Sequence, residues 1–165
     1  MAIPIRHSNP LNMVAAEQTF FVTSTTWGRH RVLQSTRSAE LFVRTLYEYR
    51  AQGKYRLHEF VVMPDHFHLI LTPAPDKSLE RALQYIKGGY SFRVKRELTF
   101  KGLPWEEGFS NHRIRDFEDY ESHRAYIHQN PVEAGLVKTP AEYPYSSAYP
   151  GFELDPRPPW LKPEL

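Results

Sequence analysis

His66 and His68 flank one apolar residue, Phe67, and open a run of large aliphatic residues, Leu69-Ile70-Leu71. Side chains alternate faces along a β-strand, so the two imidazoles share a face, about 7 Å apart, while Phe67 points the other way. Two neutral imidazoles on one face of a stiff element can hold a metal ion. They can equally be two ordinary sheet histidines, and the spacing alone does not separate these readings. Tyr126 and Asn130 form a second pair. Four apart on a helix, they lie on one face about 6 Å along its axis. A phenol and an amide so placed could meet the histidines from another element. The amide would then be a third ligand and the phenol a nucleophile, a poor one by itself at neutral pH because its pKa is about 10.

The elements that must position these residues are legible in outline. Residues 18–27 are dense in β-branched and aromatic residues and read as a first strand. A helix starting at Thr36 or Ser38 and running to about Gly53 follows. Residues 54–63 read as a second strand with His58, Phe60 and Val62 on one face, and Met63-Pro64-Asp65 as a tight turn into the histidine strand. Ser78 caps a second helix whose apolar stripe is Leu79, Leu83, Ile86, Tyr90 and Val94. Gly88-Gly89 interrupts that stripe, which is tolerable if something approaches the backbone there or if the helix breaks. His112 to Arg115 suits a short last strand, and Asp116 an N-cap for the helix that carries Tyr126. Pro131 disfavours the α conformation in the residue before it, so this helix is expected to end at Asn130. The order strand, helix, strand, strand, helix, strand, helix predicts an α+β, ferredoxin-like (split βαβ) antiparallel sheet, with helices on one face and an added helix bearing the tyrosine. The expected organisation is a mobile arm over 1–16, one domain over 17–138 and a proline-rich tail over 139–165.

Composition narrows the class. The 165 residues suit a single domain, and an apolar content of 41% supports a real core. With no cysteine there is no disulfide framework, which fits a reducing cytoplasm. The N-terminus lacks a signal-peptide pattern and no apolar run is long enough to span a bilayer, so neither secretion nor membrane insertion is expected. Residues 1–115 carry 17 Lys and Arg against 10 Asp and Glu, whereas residues 116–165 carry 4 against 9. A basic front with an acidic end suits either a polyanion partner or an unevenly charged solvated surface.

Three separated motifs then point to one family. Met63-Pro64-Asp65-His66-Phe67-His68-Leu69-Ile70-Leu71, the stretch Gly108 to Asp116 and the stretch Tyr126 to Val137 resemble, in this order, the single-tyrosine HUH transposases. The resemblance is closest to the REP-associated tyrosine transposases and runs from about residue 18 to about 149. It implies that His66 and His68 bind a divalent ion, Mg²⁺ or Mn²⁺, although imidazoles by themselves suit zinc better. It implies that Tyr126 attacks single-stranded or hairpin DNA to give a 5′-phosphotyrosine link, with no nucleotide cofactor. Asn130 would complete the metal site, or a water would replace it. The expected targets are REP-type palindromes with a short flanking tetranucleotide.

Residues 87–101 hold five Lys and Arg against one Glu, interleaved with aromatics, a composition that suits single-strand binding. Lys87, Tyr90 and Arg93 are the candidate DNA contacts there, Tyr90 otherwise packing. Arg113 and Arg115 are candidates on the last strand. His123 and His128 read as surface histidines. A non-cleaving nucleic-acid binder of the same fold and a small metallohydrolase are the competing readings. The proline-rich end favours a monomer over a homodimer.

Overall fold

A computed structural model describes residues 17–164, so the arm expected over 1–16 lies outside the described residues. The elements in chain order are β1 (Phe20–Thr25), α1 (Thr36–Ala51), β2 (Tyr55–Met63), β3 (His66–Pro73), α2 (Leu79–Glu97), β4 (Ser110–Arg113) and α3 (Phe117–Glu133). The four strands form one antiparallel sheet in the order β2-β3-β1-β4, the split βαβ arrangement expected.

Alternation along the strands divides the interior in two. On one face Phe20, Val22, Phe60, Val62, Phe67 and Leu69 meet the apolar stripes of α1 and α2. All five expected stripe residues of α2 are buried there. The other face carries Val61, Met63 and Ile70 against Tyr120 and Ile127 of α3, closed by Tyr143 and Leu161 of the tail. Helices α1 and α2 thus share one face, and α3 takes the opposite one.

Local chemistry sets the ends of the elements. The hydroxyls of Ser35, Ser78 and Asp116's carboxylate accept the N–H groups of Ser38, Arg81 and Asp119, capping α1, α2 and α3. The first cap falls one residue before the expected Thr36. Only Pro64 and Asp65 separate β2 from β3, with Met63 paired to His66.

Two expectations fail. His58 does not share a face with Phe60 and Val62, because a bulge between Leu57 and Glu59 inserts it as an extra residue. It turns towards α3 instead, with Nε2 bonded to Thr72 Oγ1 at 2.8 Å and its ring 6.3 Å from that of Tyr120. Nor does α3 stop at Asn130. It runs through the buried Pro131 and closes on a Schellman motif, Leu136 N–H to Pro131 O and Gly135 N–H to Val132 O, with Gly135 at φ 76°. Burying the proline ring and satisfying the last carbonyls outweigh the local preference of the residue before proline.

The tail is ordered along the outer edge of β2. Tyr145 O accepts the Val62 N–H at 2.8 Å, Ser147 N–H donates to Phe60 O at 2.9 Å, and Asp155 Oδ2 accepts the Leu57 N–H at 2.8 Å. These bonds occupy a strand edge that would otherwise be open to another chain.

Helix α2 continues unbroken through Gly88-Gly89. A Cβ on Gly89 would lie 2.6 Å from Tyr49 Cε2, whereas one on Gly88 would meet nothing within 4 Å. Close approach of Tyr49 from α1 therefore explains Gly89 and not Gly88. We expect Gly88→Ala to raise stability by about 0.5–1 kcal/mol, and Gly89→Ala to lower it. Urea midpoints of the two variants check this, and stabilisation by both would contradict it.

Candidate active site

β3 lies between β2 and β1, and its register against β1 pairs Thr23 with His68 and Thr25 with His66. Phe67 goes into the α1–α2 core, so both imidazoles emerge on the α3 face, as the alternation requires. Their rings are 4.9 Å apart at 74°. Each is held through Nδ1. His66 Nδ1 donates to Asp65 Oδ1 at 2.7 Å, and Asp65 also accepts Arg29 Nε at 3.2 Å. Burial would raise the Asp65 carboxyl, but the His66 hydrogen bond and the Arg29 charge hold it below the usual carboxylate range. His68 Nδ1 meets Thr23 Oγ1 at 2.7 Å. Burial, with His66 and Arg29 nearby, pulls the His68 pKa down to about 3, so the ring is neutral at physiological pH.

Holding a histidine through Nδ1 is how metal-binding imidazoles are commonly oriented, with Nε2 left for the ion. The Asn130 amide lies 3.4 Å from His68 Nε2, one turn of α3 beyond Tyr126. Turning that amide by 180° would present its oxygen to the same point. The Tyr126 ring stands edge-on to His68 at 5.2 Å and is 49% exposed. Phe21, on the same face of β1, stacks on His68 at 5.3 Å and meets Tyr126 edge-on at 5.9 Å. A solvent-open phenol, two imidazoles and an amide from two elements thus share one surface.

A second group of metal-ligand type lies beside it. Among the described residues, His112, Asp119 and His123 bring their ligand atoms within 4.8 Å of one another. Their ring planes argue against a shared ion. The two imidazoles stack at 4.7 Å and 20°, and an ion sits near the plane of each ring it binds, so the rings do not converge. His112 Nε2 instead bonds the Asp119 carboxylate at 2.8 Å, which ties the start of α3 to β4, and His123 Nδ1 bonds the Asp119 backbone oxygen at 2.8 Å.

Residues 18–130 match the family described as IS200-like transposases. The chain belongs to this family. It is 28% identical over 130 residues to the REP-associated tyrosine transposase of Escherichia coli K12, covering 78% of this chain and 75% of that protein. A solved structure of a REP-associated tyrosine transposase bound to a REP hairpin superposes with a TM-score of 0.69 at 26% identity, over 89% of this chain and 82% of that one. The resemblance carried by the three motifs is therefore borne out, and so is the fold.

The basic residues expected to touch DNA are placed differently in this transposase. Tyr90 is fully buried under α1, and burial raises its pKa, so it packs rather than contacts a ligand. Lys87 donates to the backbone oxygens of Glu106 and Gly108, and its partial burial lowers its pKa to about 8. Arg93 is bonded to Glu48 at 2.7 Å and to the Tyr49 hydroxyl at 3.2 Å. All three sit on α2, with the sheet between them and the histidines, because the stripe that buries Tyr90 fixes the rotation of that helix. Arg113 pairs with Phe20, which orients it to the α1–α2 face, and Arg115 lies beyond the end of β4; both are exposed.

Neither remaining histidine is an isolated surface group. His123 is packed between Phe21 and His112, and His128 Nε2 bonds Glu59 Oε1 at 2.6 Å. Thr23, Phe21 and Arg29 were not singled out from the sequence. Only the β1–β3 register reveals the first two, and a contact across 36 residues the third.

The buried neutral histidines set a pH dependence. His58 and His68 both have lowered pKa values, through burial first. In the unfolded chain each binds a proton below about pH 6.5, while the folded chain resists it, so stability falls as pH drops through that value. We expect the urea midpoint of metal-free protein to fall between pH 7.5 and 5, and His68→Gln to reduce that fall. An equal fall in the variant would contradict the assignment.

Proposed function

We propose that this protein is a metal-dependent enzyme that nicks and rejoins single-stranded DNA at hairpin-forming repeats of the REP type. The observation that carries the reading is the exposed Tyr126 phenol beside the His66–His68 pair, both rings held through Nδ1. In the proposed step, the Tyr126 oxygen attacks the phosphorus of a phosphodiester. The bond from phosphorus to the 3′ oxygen breaks, leaving a 5′-phosphotyrosine, and the proton lost by the phenol passes by way of solvent to the 3′ oxygen, which leaves as a 3′-hydroxyl. Attack by a 3′-hydroxyl on the phosphotyrosine reverses the step and joins strands. One diester replaces another, so no nucleotide cofactor is required.

A divalent ion bound by His66 and His68, with Asn130 or water, would act as a Lewis acid on the scissile phosphate. Mg²⁺ or Mn²⁺ suits that role, and two imidazoles favour Mn²⁺ of the two. Asp65 and Thr23 orient the imidazoles, and Phe21 supports both His68 and Tyr126. All these groups come from one chain, so a monomer suffices. The REP hairpin bound by the structural relative supports the choice of target.

The test uses labelled hairpin DNA with single-stranded flanks and Mn²⁺, read on a denaturing gel. We expect a covalent adduct that is lost in Tyr126→Phe and on adding EDTA. Asp65→Ala should lower activity by about 10–100-fold through the loss of His66 orientation. An adduct that survives Tyr126→Phe would overturn the assignment, and binding without any adduct would favour the non-cleaving reading.

A further inference from the structure

The loop after β1 is bolted to the turn that carries the histidines. Thr26 N–H donates to Asp65 O at 2.9 Å, and Leu33 N–H to Pro64 O at 3.0 Å. Its far side is held too: Trp27 N–H donates to Pro104 O at 3.0 Å, and Gly28 N–H to Glu106 Oε1 at 2.8 Å. Between these anchors residues 27–29 form a tight turn in which nothing is buried. Gly28 and Arg29 are both left-handed, at φ 58° and 56°. For arginine that conformation is disfavoured and persists only where surrounding bonds impose it. It directs the Arg29 guanidinium to Asp65, the carboxylate that holds His66.

The turn presents Trp27 outwards. Its side chain is 48% exposed, and among the described residues it stacks on no other ring and its indole N–H meets no acceptor. Trp27 lies two residues beyond Thr25, the partner of His66. Arg29, His30 and Arg31 follow it, all exposed. A rigid, outward-facing indole beside several cations is the combination that takes a base on its face and phosphates on its flanks.

We propose that Trp27, with Arg29 and Arg31, is a docking platform for the single strand that flanks the histidine site, one base stacking on the indole. This rests on the reading that the site acts on DNA, and it assigns that role to a loop beside the start of the histidine strand instead of to α2. The acidic neighbours Asp65 and Glu106 are engaged by Arg29 and by the Gly28 N–H, so neither is left to repel a phosphate there unopposed.

The probe is a hairpin oligonucleotide with a single-stranded thymidine flank bearing 2-aminopurine, compared with the same hairpin lacking the flank. We expect Trp27→Ala to weaken binding of the flanked probe by at least about fivefold and to abolish the 2-aminopurine quenching. Trp27→Phe should restore most of the affinity, Arg31→Ala should reduce its salt dependence, and affinity for the unflanked hairpin should stay unchanged. Equal binding of the flanked probe by wild type and Trp27→Ala overturns the proposal. So does a loss of self-association in Trp27→Ala with DNA affinity intact, which would make the surface a protein contact. Adduct formation read on the same samples separates the two readings. A wild-type protein that binds the flank through Trp27 but forms no adduct leaves the platform standing and removes the cutting mechanism.

Discussion

The register of β3 against β1 is the constraint on which the site depends. Pairing Thr23 with His68 puts a hydroxyl 2.7 Å from His68 Nδ1 and brings Phe21 under the same ring. A slip of one residue would turn both imidazoles into the α1–α2 core and send Phe67 outwards. Phe67 resists that slip: it is wholly buried against Phe42 and Trp105, and truncating such a side chain costs about 3–5 kcal/mol. The apolar residue between the histidines is thus what aims them.

The two faces of the sheet divide the work. The α1–α2 face carries the larger core, while the α3 face keeps a smaller core and leaves room beside it for polar groups. Helix α3 is anchored along its length. Its start is tied to β4 through His112, Asp119 and His123, Ile127 is buried in the second core, and His128 bonds Glu59 of β2. The Schellman motif closes its end beyond Pro131. Tyr126 stays half exposed within a helix fixed on both sides of it. Tyr55, Tyr90, Tyr120 and Tyr143 are buried, and burial raises the pKa of each, which sets them apart from a phenol open to an incoming phosphate.

What was legible in the sequence follows the range of the interactions involved. Period-two and period-3.6 patterning gave the strand pair 54–73 and the stripe of α2, because each is settled by residues close in sequence. The face carried by His58 was not legible, because one inserted residue at Leu57/Glu59 reverses the alternation without any compositional mark. The end of α3 was misplaced because the rule for residues before proline is local, whereas the Pro131 ring is buried by distant groups. The surroundings of the basic residues of α2 were not legible for a similar reason. Cations beside aromatics look alike on either side of a sheet, and only packing tells which side they occupy. Trp27 stood at the end of the expected first strand, but its link to the histidines runs through Asp65, 38 residues on.

The proposed cutting chemistry turns on an ion held at His66 and His68 beside Tyr126, and anomalous scattering from crystals soaked in Mn²⁺ tests it most directly. It predicts a peak within bonding distance of both His66 Nε2 and His68 Nε2, on the side of the sheet that faces Tyr126. A peak at His112, Asp119 and His123, with none at the histidine pair, would contradict it.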